Sequence, residues 1–61
     1  MEIRFAKPEP KKTTVKFEEV VEEGVEPIMG NVYVKKHALR KIGADNPDQV
    51  QELVLELRSA S

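Results

Sequence analysis

Along residues 2–6, Ile3 and Phe5 alternate with Glu2 and Arg4, the two-residue period of a half-buried strand. The pattern then breaks at Lys7-Pro8-Glu9-Pro10-Lys11-Lys12. Two prolines in three residues disfavour regular pairing, so residues 7–12 are expected to form an extended polar linker or an edge turn. Residues 13–21 predict a second strand, with Val15 and Phe17 on one side and Thr14, Lys16 and Glu18 on the other. Glu19 breaks that phase, and Val20 and Val21 follow it as an adjacent apolar pair. They point to a bulge near Glu18-Glu19 or to a strand end buried on both faces.

Glu22-Glu23-Gly24-Val25-Glu26-Pro27 has the composition of an exposed turn. A third strand is expected over residues 29–35, with Ile28, Gly30, Val32 and Val34 on one face and Met29, Asn31, Tyr33 and Lys35 on the other. Gly30 in that run marks a bulge or a close backbone approach. The second and third strands should pair as an antiparallel hairpin.

Residues 36–42 place Ala38, Leu39 and Ile42 at helical spacing, with Gly43 where a helix ends and Arg40 and Lys41 near the negative end of the dipole. The segment after it fits two templates. Asn46-Pro47-Asp48-Gln49 is a good helix start, and Val50, Leu53, Val54 and Leu57 would continue one apolar stripe. Leu53, Leu55 and Leu57 equally alternate with Val54, Glu56 and Arg58. We prefer a helical turn over 46–50 followed by a strand over 52–58, since two or three strands need more sheet to be stable. Residues 59–61 should fray. The sum is a β-rich α+β domain: a small, mainly antiparallel sheet of three to four strands with one short helix.

Composition changes the picture in one respect. A chain of 61 residues buries only about 60% of the surface it exposes when unfolded, and without cysteine it has no disulfide to compensate. One histidine and no cysteine do not make a structural zinc site. Self-association is the remaining means of stabilisation, so a homodimer or higher oligomer is expected. Charge alternates in blocks: five bases against two acids in residues 1–17, five glutamates in 18–34, four bases in 35–41, and four acids against one base in 42–61. The net charge of −1 gives no general attraction to nucleic acid or to an anionic membrane. No apolar run approaches a membrane span and the first residues lack a signal-peptide layout, so a cytoplasmic protein is expected.

Candidate chemistry is sparse. The chain lacks a credible nucleophile with a neighbouring base, a glycine-rich phosphate loop and a calcium-loop spacing, so neither an enzyme nor a cofactor is expected. His37 is read as an exposed helix residue. The one candidate contact surface is Lys35, Lys36, Arg40 and Lys41 with Tyr33 beside them. A basic helix edge after a strand can hold phosphates, but the reading we prefer is a basic face neutralised by the acidic loop or by a neighbouring subunit.

The segment Gly30-Asn31-Val32-Tyr33-Val34-Lys35-Lys36-His37-Ala38-Leu39-Arg40-Lys41-Ile42-Gly43, with Glu52-Leu53-Val54-Leu55-Glu56-Leu57 downstream, resembles the strand, short helix, glycine, strand order of AbrB-type swapped-hairpin proteins. It is also similar to small bacterial and phage proteins with a Gly-x-Val-Tyr-Val-x-Lys core. The AbrB resemblance implies a dimeric DNA-binding regulator or antitoxin using Lys35, Lys36, Arg40 and Lys41. Lys35 stands where that family usually has proline, and the strand at residues 1–6 has no counterpart there. From the residues themselves, the leading expectation is a non-enzymatic, self-associating interaction module, with protein or a second copy as partner and nucleic acid as the alternative.

Overall fold

The computed structural model describes residues 1–60. Ser61, expected to fray with its two neighbours, lies outside the described residues. The elements run β1 (Glu2–Pro10), β2 (Thr14–Glu19), β3 (Asn31–Lys35), α1 (Lys36–Lys41), a 3-10 turn (Pro47–Gln49) and β4 (Leu53–Glu56). The strands form one sheet in the order β3-β2-β1-β4, with every neighbouring pair antiparallel. This is the expected β-rich α+β fold, and it resolves the ambiguous segment as a helical turn followed by a strand.

Alternation decides the packing. Ile3, Phe5, Val15, Phe17 and Leu53 are buried on the inner face, with Val32, Val34 and Leu55 half-buried beside them. Leu39 from α1 is fully buried in this cluster, and Ala44 and Val50 pack against it. Among the described residues no helix packs on the outer face in this way. Lys16 and Tyr33 sit opposite each other there, as do Arg4 and Val54.

Helix α1 is short because its end is well specified. Gly43, at φ 100, donates its N–H to the Arg40 carbonyl at 3.1 Å, and Ala44 donates to the Leu39 carbonyl at 3.1 Å. These two bonds make a Schellman motif, with Ala44 and Leu39 in the core cluster as its apolar contact. Asn46 then caps the 3-10 turn through its side-chain oxygen, which accepts from the Asp48 N–H at 3.2 Å.

Several expectations are corrected. Residues 7–10 are not a linker: β1 continues through them to Pro10, and only Lys11, Lys12 and Thr13 make the turn. The bulge lies in β1 rather than near Glu18-Glu19. Ala6 pairs with Glu18 and Glu9 with Lys16, so Lys7 and Pro8 together oppose Phe17, and Lys7 takes the left-handed conformation at φ 52. The prolines are tolerated because the Lys11 N–H bonds the Thr14 carbonyl, so strand alternation turns the nitrogens of Pro8 and Pro10 away from β2. On the other side β4 reaches only Glu2 to Phe5.

Val20 and Val21 are exposed, not buried on two faces, because β2 ends at Glu19. The third strand starts at Asn31, which leaves Ile28 and Met29 exposed in the preceding loop. Gly30 is neither a bulge nor a close approach. It has φ 77 and open space where a Cβ would stand, so it is a left-handed turn residue. Ile42 is 70% exposed, since it follows the last helical turn instead of extending the buried face.

Replacing Gly43 with alanine introduces no clash, because nothing lies within 4 Å of the added carbon. It therefore isolates the cost of a left-handed backbone in a residue with a side chain. Gly43→Ala should lower the stability by about 1 kcal/mol in denaturant unfolding, with an unchanged m-value.

Candidate interaction surface

The sheet order leaves two free edges, β3 and β4. At β4, Met1 and Leu57 exchange hydrogen bonds: the Leu57 N–H reaches the Met1 carbonyl at 2.7 Å, and the Met1 amino group reaches the Leu57 carbonyl at 3.1 Å. Stepping by two along the ladder, Leu55 and Leu53 also turn their backbone groups to β1, opposite Ile3 and Phe5. Val54 and Glu56 must then turn theirs outward. Because β4 ends the sheet, these N–H and C=O groups have no strand beside them among the described residues.

Apolar side chains flank that edge. Val54 is 52% exposed and Leu57 48%, with Met1 exposed beside them. Val54, Val20, Val21, Arg4, Glu2 and Glu22 line one shallow depression of about 460 Å³. The Val20 N–H bonds the Arg4 carbonyl at 2.9 Å, which brings the end of β2 into the same row as Arg4 and Val54.

Glu19 shapes the loop next to this surface. As the continuation of the Val15, Phe17 phase it points to the inner side, where its carboxylate accepts the N–H groups of Ile28 (2.9 Å), Met29 (2.6 Å) and Gly30 (3.1 Å). Its own N–H bonds the Gly30 carbonyl at 2.8 Å. Those amides, Ile28 and Met29 foremost, hold the carboxyl below the usual glutamate range. Residues 20–30 have no regular structure of their own, so this clamp fixes where the exposed Val25, Ile28 and Met29 lie.

The sequence-derived basic candidates do not form one uniform patch. Tyr33 and Lys35 are on the outer face of β3, and Tyr33 is 63% exposed opposite Lys16. Helix α1 packs Leu39 on the inner face, and Arg40 and Lys41 are exposed on it. Lys36 is only 18% exposed in its side chain and pairs with Asp48 at 2.9 Å, which ties α1 to the 3-10 turn. Among the described residues Lys35, Arg40 and Lys41 make no ion pair. His37 is exposed on α1, as expected. Lys16 and Lys11 both approach the Glu9 carboxylate, at 3.6 and 2.8 Å, and Lys11 in particular holds the Glu9 carboxyl down.

Three of these features escaped the sequence reading. The openness of the β4 edge depends on strand order, which no local pattern encodes. The Glu19 clamp depends on a loop folding back, and Glu19 registers in sequence only as a break in phase. The Lys36–Asp48 pair bridges two elements whose packing is tertiary.

No family model, curated protein or solved structure matches this chain. No helix among the described residues is long and apolar enough to cross a membrane, and no group of three or more His, Cys, Asp or Glu among them could hold a metal ion.

Glu19 generates a pH dependence whose sign follows from its lowered pKa. The clamp contributes fully above the ordinary value near 4.5 and is lost as pH falls through the lower folded value. Glu19→Gln should therefore be less stable than wild type at pH 7, and the difference should shrink towards pH 3. Urea unfolding midpoints of both proteins across that range measure it.

Proposed function

We propose that this is a small, non-enzymatic, self-associating interaction module that acts by strand addition at β4. The open edge at Val54 and Glu56, bordered by exposed Val54 and Leu57, carries this reading. Natural sheets blunt such edges with charge, proline or a bulge. Here β1 has Pro8, Pro10 and the Lys7 bulge where it overhangs the ladder, whereas β4 has neither proline nor bulge and Glu56 is its one charged residue.

Surface area supports the same conclusion. The chain exposes 4827 Å², against about 4,000 Å² for a compact monomer of its mass. Its radius of gyration is 12.1 Å, where about 10.5 Å is typical of this length. A flat slab, 16 Å in its shortest extent, with one covered face gains stability from a neighbour.

Binding of duplex DNA through Lys35, Lys36, Arg40 and Lys41 has less support. Lys36 is engaged by Asp48, and Tyr33 with Lys35 belongs to the sheet face opposite the one α1 covers.

Sedimentation over a range of micromolar concentrations should show a dimer dissociating on dilution, with a melting temperature that rises with concentration. Val54→Glu can pair with Arg4 of its own chain and should shift the protein to monomer without unfolding it. A folded wild-type monomer whose melting temperature ignores concentration would overturn the proposal. Salt-dependent binding to duplex DNA by such a monomer would favour the regulator reading instead.

A further inference from the structure

We infer that the partner at β4 is a second copy of this chain, added antiparallel with the two-fold axis at Leu55. The inference rests on that self-association at β4 and goes beyond it by fixing the orientation and the register of the second copy. The backbone limits the choices first. Val54 and Glu56 turn their hydrogen-bonding groups outward, so in an antiparallel pair these residues and their even-numbered neighbours must face one another.

Three central registers satisfy that condition, and charge separates them. An axis at Val54 sets Glu52 against Glu56 twice. An axis at Glu56 sets that carboxylate against its own copy. With the axis at Leu55, Glu52 faces Arg58, Val54 faces Glu56 and Leu53 faces Leu57, each twice, while Leu55 meets its own copy. No like charges are opposed, and two opposite-charge pairs close the ladder at its ends. A parallel arrangement about a two-fold axis would again put Glu52 and Glu56 beside their copies.

The apolar side chains agree with this register. Leu53, Leu55 and Leu57 share the inner face, and of these Leu55 is half-buried and Leu57 exposed. Facing the partner's Leu53, Leu57 gains an apolar neighbour in addition to Met1, which stands opposite it in its own chain. Because both copies use the same edge, the contact is isologous: it consumes both β4 edges and joins two four-stranded sheets into one of eight.

Charge reversal tests the register apart from the association itself. Glu52→Arg opposes two arginine pairs and Arg58→Glu opposes two glutamate pairs, so each variant should weaken the dimer about ten-fold in sedimentation at low salt. The double variant Glu52→Arg, Arg58→Glu restores both pairs and should return the dissociation constant close to wild type. Since the chain has no cysteine, Leu55→Cys supplies a second reading: oxidation should give a disulfide-linked dimer in high yield, as facing residues at the axis come within bonding range. Dimers insensitive to both single reversals, or not rescued by the double one, would overturn the register and leave strand addition standing. A protein monomeric in every form would overturn both.

Discussion

The fold depends on Leu39 being buried against the inner face of the sheet. A helix of six residues is far too short to be stable by itself, and it is held because this one side chain is fully buried in the cluster with Ile3, Phe5, Val15, Phe17 and Leu53. The Schellman bonds at Gly43 and Ala44 then send the chain back across the core. From there Pro47 is buried and Val50 packs in, which delivers β4 to the far side of β1. Strand order, and with it the identity of the free edge, follows from how α1 ends.

That dependence explains what could be read in advance. The alternation of Ile3 with Phe5, Val15 with Phe17 and Val32 with Val34 marks three strands without tertiary information, and Gly43 marks the helix stop. Residues 53–57 satisfy both a helical and a strand period, and only the vacancy beside β1 decides between them. The Pro8 and Pro10 pair misleads for a related reason. Proline excludes a strand paired on both sides, but the second half of β1 is paired on one side only. Ile28 and Ile42 mislead because spacing alone does not say where an element stops.

The candidate site was legible in part. Charge blocks identified Lys35, Lys36, Arg40 and Lys41, and folding distributes them over different surroundings, with Lys36 spent on Asp48. The acidic run likewise divides by role. Glu18 faces outward within 3.9 Å of Lys7, while Glu19, its neighbour, points inward and organises three backbone amides. Residues of one type, adjacent in sequence, thus do unrelated work because a strand sends them to opposite faces.

The bulge in β1 separates the number of residues in that strand from the distance it spans. Without Lys7, the side chains from Phe5 to Pro10 would alternate in the phase they have now: Phe5 in, Ala6 out, Pro8 in, Glu9 out, Pro10 in. Lys7 is therefore a spacer that carries no face of its own. What it adds is twist, since a bulged strand coils more strongly than a regular one. The arm bearing Glu9 and Pro10 is turned relative to the half that pairs with β4, so β1 behaves as two short blades set at an angle, one built into the middle of the sheet and one forming its corner.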